Sequence, residues 1–392
     1  MIELLLKRVE ELYPEMVELR RMFHAEPELS FKEELTPKQI ADYLEQLGIE
    51  VRREVGGRGV VGYIRGGRPG KTVALRADFD ALPIQEETGL PFASTKPGIM
   101  HACGHDGHTA TLLVLAKAFV ELKDRLAGTI VLIHQFAEEL APGGALAMIE
   151  DGCLDGVDAI FGTHLWSPMP LGQIGYRSGP IMAAADHFEI EIHGRGGHGA
   201  IPHETVDSVV ACASVVCQLQ QIISRNVDPL KSAVLTIGSF QSGGAFNVIA
   251  DTAKISGTVR TFDPAVQQLI IKRIEEITNG LCQAMDASYT YQYNKGYPAV
   301  VNDQHETKRF VEAAKTVHAK EHVLETAPLM IGEDFAYYLQ HVPGTFFLTG
   351  AGNAEKGINY PHHHPKFDFD EKAMLVAATC LARVTIDFLL DD

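Results

Sequence analysis

An α/β chain of two domains is what this sequence predicts, on three observations. Its 392 residues exceed what one hydrophobic core usually organises. Strand-like and helical segments alternate toward both ends of the chain, which implies a layered domain around a mixed sheet. Between them lies a βαββαβ run that is complete in itself and is expected to be an insertion.

The elements follow in order. Leu5, Val9, Leu12, Met16, Leu19 and Phe23 recur at helical spacing, predicting a core-facing helix at the start. Thr36-Pro37 predicts the N-cap and first position of a second helix, which Gly48 closes. Apolar strands are expected at Gly59 to Ile64, Thr72 to Ala77, Thr129 to His134 and Ile160 to His164, with a helix from about Gly107 to Leu122. In the middle, strands at His187 to Ile192, Ala233 to Phe240, Thr252 to Arg260 and Ser288 to Tyr293 alternate with helices at Asp207 to Ser224 and Ala265 to Met285. The chain then returns with a helix near Glu306 to Ala319, a short helix from Glu333, a strand at Thr345 to Leu348 and a last helix from Glu371. The expected division is 1–184 and 296–392 for the layered domain and 185–295 for the insertion.

Composition removes several classes of function. The formal charge of −17 leaves no basic excess to neutralise phosphates, so no nucleic-acid partner is expected. The first 21 residues carry only a short apolar cluster, soon broken by Lys7, Arg8, Glu10 and Glu11, and no run approaching the ~20 residues of a membrane span is visible. Six cysteines, Cys103, Cys153, Cys212, Cys217, Cys282 and Cys380, include no C-x-x-C pair and read as reduced thiols. A cytoplasmic protein with no membrane partner is expected.

Five patches share one chemical vocabulary. His101, Cys103, His105 and His108 crowd a glycine-rich turn before a helix, and thiolate with imidazole suits zinc, cobalt, nickel or manganese. Glu138-Glu139 follows a buried strand. Acidic pairs are usually solvated, but the carboxyl end of a strand in an α/β sheet is where ligands bind. There, one carboxylate can hold a metal while the other moves a proton. His164 stands at a third strand end, His198 lies in a Gly-Gly-His-Gly turn of the insertion, and His362-His363-His364 comes late in the chain. That tri-histidine run fits a surface loop as well as a metal site.

Together with Phe23 to Ser30, Arg76 to Pro83, Ala245 to Ile249, Gly257 to Arg260, Gly332 to Phe335 and Phe367 to Phe369, these patches resemble the di-metal aminoacylase and carboxypeptidase family. The resemblance lies with its branch of N-acyl-amino-acid amidohydrolases, hippurate hydrolases and auxin-conjugate hydrolases, and covers nearly the whole chain. It implies a di-zinc exopeptidase-like catalytic domain with a ferredoxin-like lid that pairs two subunits. Two divalent ions per subunit (Zn, Mn, Co or Ni) are implied, held by Cys103, His105, Glu139, His164 and His363, with His362 and His364 ranked below His363. Glu138 is the implied catalytic base and His198 the group that stabilises the oxyanion, reaching in this family into the partner's site. Asp78 is the implied orienting residue, and Asn247 and Arg260 resemble substrate binders. The implied substrate is an N-acyl amino acid or short peptide, and the implied partner a second copy of the chain.

The sequence also departs from the family pattern. Arg76 stands where relatives outside the branch carry a histidine ligand, Phe136 replaces the proline before Ala-Glu-Glu, and Ala250 replaces the proline after Asn-Val-Ile. A thiol hydrolase using Cys103, and a catalytically silent protein that binds an acyl-amino acid, are the competing readings.

Overall fold

Two helices begin the chain where the periodicity predicts one. The structure is a computed structural model describing residues 1–391. It places α1 at Ile2–Glu11 and α2 at Tyr13–Ala25. Pro14 accounts for the break, since it has no N–H to offer the preceding turn and its ring crowds the carbonyl there. The apolar stripe continues through it, with Leu5, Val9, Leu12, Met16 and Phe23 all buried. The next helix, α3 (Leu35–Gln46), starts before the expected Thr36 cap. Its cap is instead a carboxylate from upstream. Glu28 accepts the N–H groups of Glu34 (3.0 Å), Leu35 (3.0 Å) and Thr36 (2.8 Å), donors that a helix start leaves unpaired.

Strands β1 (Glu50–Val55), β2 (Gly59–Arg65) and β3 (Arg68–Asp78) lead to α4 (His105–Val120), followed by β4 (Ala127–Gln135), β5 (Ala159–Pro170) and β6 (Ile174–Tyr176). β3 runs parallel to both β4 and β5. Asp78 pairs with Gln135, and Arg76 pairs with Gly162, so His164 falls at the level of Asp78. The carboxyl ends of three adjacent parallel strands therefore open on one edge of the sheet, where ligands bind in α/β folds.

The second compact unit comprises residues 182–299 and 328–333. Its elements are β7 (Ala184–His193), α5 (Ser208–Gln221), β8 (Ala233–Ser242), β9 (Thr252–Thr261), α6 (Pro264–Ala284) and β10 (Ser288–Tyr297). The sheet order is β8-β9-β7-β10, every neighbouring pair antiparallel. Phe188, Ile190 and Ile192 of β7 pack against Val215 and Leu219 of α5 and Ile270 and Ile274 of α6. Asp207 and Asp263 cap the two helices. The unit is longer than the expected 185–295 because residues 328–333 join it. Ala183 donates its N–H to the carbonyls of Leu329 and Ile331, both at 3.0 Å, a pairing across more than a hundred residues that no local pattern announces.

The first unit is completed by α7 (Gln304–Val317), β11 (Val323–Glu325), α8 (Phe335–Leu339), β12 (Gly344–Gly352) and α9 (Lys372–Leu390). Its eight-stranded mixed sheet has the order β1-β2-β4-β3-β5-β12-β6-β11. Among the described residues, α9 is the one helix long and apolar enough to cross a bilayer, with a mean hydropathy of 1.8, a run the sequence reading passed over. In the fold 72% of that window is buried, and α9 packs on α1, α4 and α7, as a core helix does.

Substituting Glu28→Ala should destabilise the protein by about 1 kcal/mol at pH 7, the usual effect of losing a cap. Burial raises the Glu28 carboxyl, but the N–H groups of Thr36 and Leu35 outweigh it and hold the group below the ordinary range. Its contribution is thus present above the unfolded carboxyl pKa and lost as pH falls through the lower folded value. The difference between the unfolding transitions of the two proteins should be full at pH 7 and shrink as the pH falls below the ordinary carboxylate range; a difference independent of pH would refute the capping role.

Candidate active site

The glycine turn sets the first part of the site. Gly104 adopts φ +97°, left-handed backbone that favours glycine, and α4 begins at the next residue. At Gly107 a Cβ would lie 2.6 Å from Phe369 and 2.7 Å from Leu165, so only glycine lets this turn pack against them. Cys103 is thereby buried just ahead of a helix N-terminus, whose dipole favours a thiolate.

The buried histidines sort by which nitrogen is already engaged. His105 Nδ1 lies 3.0 Å from the Asp80 carbonyl, which can only accept, so Nδ1 carries the hydrogen and Nε2 the lone pair. Nε2 has no hydrogen-bond partner. It stands 3.7 Å from Asp78 Oδ2 and 3.9 Å from both Glu138 Oε2 and Glu139 Oε1. His164 likewise donates from Nδ1 to the Leu165 carbonyl at 2.8 Å, leaving Nε2 at 3.4 Å from Cys103 Sγ.

Two other histidines are differently committed. His108 meets Asp78 Oδ1 at 2.6 Å through Nδ1 and accepts the Leu165 N–H at 2.9 Å through Nε2, so neither nitrogen is left for a metal. His362, ranked below its neighbour on sequence, lies on Trp166 with ring centroids 4.5 Å apart. Its Nε2 accepts the Ser167 N–H at 3.2 Å, which leaves Nδ1 as the hydrogen-bearing atom facing Cys103 Sγ at 3.7 Å. His363 is half-exposed, and its Nε2 lies 3.3 Å from Glu139 Oε1. The Ala102 carbonyl holds it there by accepting its backbone N–H at 2.8 Å.

The carboxylates are equally organised. Asp80 accepts the Glu139 N–H (3.0 Å) and the Ser30 hydroxyl (2.7 Å) while also holding His105. Arg76 donates to Asp78 (2.6 Å), Asp334 (2.9 Å) and Gln135 (2.9 Å), so the position that carries a ligand elsewhere supplies a fixed positive charge here. Sequence reasoning missed Asp80 and Arg76 as parts of the site. Asp80's spacing of two from Asp78 was the available signal, because alternate residues leaving a strand point the same way.

The titratable groups are strongly perturbed by one another and by burial. Burial opposes protonation of His105, yet Asp78 and Asp80 outweigh it and push the imidazole up to about 10. Burial and the Glu139 and Glu138 carboxylates push the Cys103 thiol well above its usual value. Burial keeps His164 neutral, reinforced by His108 and His362. Bound cations would reverse the sign of the first two effects. Two groups of candidate donor atoms each lie within 4.8 Å of one another, Cys103 with His105 and Glu139 and Cys103 with His164 and His362, although in the second the Nδ1 of His362 carries its hydrogen toward the sulfur. The donor set fits divalent ions of borderline softness.

In the second unit, His198 and Asn247 come together although their motifs are far apart in sequence. His198 pairs with Val248 in a short ladder, and the Asn247 carbonyl accepts the Gly199 N–H at 2.9 Å. His198 and Asn247 are exposed. Arg260 lies elsewhere, half-buried on β9, where it donates to the Thr258 hydroxyl and to the Val259 carbonyl.

A shared thiolate position, two histidines presenting lone pairs and a glutamate pair at the ends of parallel strands define the centre of a two-metal hydrolase. Residues 74–387 match the family described as Peptidase family M20/M25/M40, and the chain belongs to that family. It is 54% identical to YhaA of Bacillus subtilis over 382 residues, covering 97% of this chain and 96% of that one. It is 48% identical over 295 residues to the N-acyl-L-amino acid amidohydrolase of Geobacillus stearothermophilus, covering 75% and 80%. The crystal structure of the Bacillus subtilis YXEP protein, described as a dinuclear metal-binding peptidase of the M20 family, superposes with a TM-score of 0.83 at 36% identity over 97% of this chain and 99% of that one.

Because Asp80 orients both a histidine and the glutamate loop, Asp80→Ala should weaken divalent-metal affinity by about tenfold or more. Chelator competition followed by metal analysis measures this, and unchanged affinity would show that the backbone carbonyl alone orients His105.

Proposed function

We propose that this protein is a metal-dependent amidohydrolase that releases a free amino acid from an N-acyl amino acid or short peptide. The observation that carries the reading is the unpartnered Nε2 of His105, facing three carboxylates beside a sulfur shared by two donor groups. The family and the Geobacillus relative supply the amide bond as the target.

Cys103, His105, Glu139, His164 and His363 would hold two divalent ions, with His362 donating to the sulfur. When bound, such ions polarise a carbonyl and lower the pKa of water. Glu138, buried next to Glu139, takes the proton of the attacking water and returns it to the departing nitrogen, which leaves poorly as an anion. His198 donates to the developing oxyanion, and Asn247 and Arg260 bind the substrate's polar end, the guanidinium matching a carboxylate. A cysteine nucleophile is disfavoured. His164 is close to Cys103, but a thiol mechanism would leave the glutamate pair and the unpartnered nitrogen of His105 without a role.

Glu138→Ala should reduce amine release from N-acetyl, N-benzoyl and dipeptide substrates by at least about a hundredfold while metal content stays the same. The assay uses chelated protein with divalent metal added back. Retained turnover would remove Glu138 as the base, and turnover that ignores chelation would remove the metals from the reaction.

The working unit in this proposal is a homodimer formed through the second unit. Phe246 is fully exposed, Val248 is 56% and Phe240 42% exposed, and β8, which carries Phe240, is an edge strand with unpaired backbone groups. Exposed apolar side chains beside an open strand edge favour pairing with a second copy. The reducing environment of the cytoplasm belongs to the same reading, supported by six cysteines of which none forms a disulfide.

If His198 acts across that interface, mixing Glu138→Ala and His198→Ala subunits should regenerate activity. Random exchange makes half the dimers mixed with one complete site each, so about a quarter of wild-type turnover should return. No recovery after exchange confirmed by mass spectrometry would place His198 in its own subunit's site.

A further inference from the structure

The loop that carries Glu138 does not hold its shape by its own preferences. Ala137, immediately before it, adopts φ +53°. That left-handed conformation is unfavourable for alanine by about 1–2 kcal/mol and must be imposed from outside. Two buried carboxylates from different segments impose it. Glu33 Oε1 accepts the Ala137 N–H at 2.9 Å, and Asp80 Oδ2 accepts the Glu139 N–H at 3.0 Å. Glu138 is bracketed between them. The Phe31 ring also packs edge-on against Phe136, with centroids 5.8 Å apart, so Phe31 and Glu33 hold residues 136 and 137 directly, while Ser30 reaches Glu139 only through Asp80.

Asp80 has other duties, at His105 and Ser30. The Glu33 carboxyl makes this one hydrogen bond to another residue, with the charge of Arg58 also acting on it. The residue is fully buried, and its second oxygen, Oε2, has no hydrogen-bond partner. A half-satisfied buried carboxyl is a poor choice for stability alone, since an apolar side chain of similar length would avoid the desolvation. Resting on the reading of Glu138 as the base, we propose that Glu33 is a positioning residue for the reaction, aiming Glu138 through the backbone of Ala137. Glutamine keeps an oxygen in the place where the Glu33 Oε1 accepts the Ala137 N–H, and so reproduces the contact.

The test compares Glu33→Met, which fills the space without an acceptor, with Glu33→Gln, which keeps one, in the full-length metal-loaded enzyme. Glu33→Met should lower kcat by about tenfold to a hundredfold with KM changed far less, as expected when a reacting group is misaimed. Hydrogen exchange in the peptide spanning 134–140 should accelerate in that variant, while metal content is unchanged. Glu33→Gln should recover most of both properties. Unchanged exchange in Glu33→Met, accelerated exchange without loss of kcat, or a well-folded Glu33→Gln as impaired as Glu33→Met would each overturn the proposal. Should Glu33→Met fail to fold, Glu33→Gln alone decides: a folded variant that keeps kcat and slow exchange supports the role, and one that loses them overturns it. The exchange measurement also separates the two readings, because exchange that accelerates in Glu33→Met although the wild-type protein cleaves no amide would leave the loop contact standing and defeat the proposed function.

Discussion

Negative charge gathered where water is scarce is the constraint on which the catalytic unit is built. Asp78, Asp80, Glu138 and Glu139 converge on His105 at the ends of parallel strands, and Asp78 and Asp80 are wholly buried. Such a cluster is strongly unfavourable unless positive charge is supplied. Arg76 supplies one charge, locked by three acceptors. The rest of the demand shows in the histidine and the thiol, one drawn toward protonation and the other held back from ionising. Two divalent ions held among these carboxylates would answer both at once.

The fold meets that constraint by division of labour. Parallel strands bring Asp78, Gln135 and His164 to one level, and the helix that follows the glycine turn adds Cys103 and His105 from the same side. The histidines are then separated by backbone groups. A carbonyl on Nδ1 turns His105 and His164 into lone-pair donors, whereas a backbone N–H on Nε2 engages His108 and His362. Residue type alone does not distinguish these four; the second nitrogen's partner does.

This explains how much could be read in advance. The α/β order, the inserted βαββαβ run and the Cys103, His105, Glu138-Glu139 and His164 patches all have local signatures: period, glycine turns and strand ends. What escaped depends on distant pairing. The α3 cap is Glu28, a residue outside the helix, because a long carboxylate can reach donors that Thr36, inside the helix, cannot. The second unit recruits residues 328–333 through Ala183, and the apolar run of α9 is a core helix only because other helices cover it. Within the tri-histidine run, sequence ranked His363 by its distance from Pro365, but only the structure shows His362 at the sulfur and His363 beside Glu139.

Local irregularity follows the same logic. Among the described residues, five that are not glycine have φ in the left-handed region: Phe31, Glu54, Ala137, Asp286 and His363. Three of them touch the site: Phe31 packs on the catalytic loop, Ala137 precedes Glu138, and His363 faces Glu139. Strain of this kind survives only where surrounding contacts over-determine it. Here those contacts are identifiable as the Glu33 carboxyl on Ala137 and the Ala102 carbonyl on His363. Both residues sit beside the glutamate pair proposed to act in the reaction, Glu138 and Glu139, and a relaxed backbone at either position would rearrange those contacts. Stability surrendered in φ angles is therefore concentrated at this site, with Glu54 and Asp286 the two exceptions, as expected of a sequence that breaks local rules mostly where its groups must be held in place.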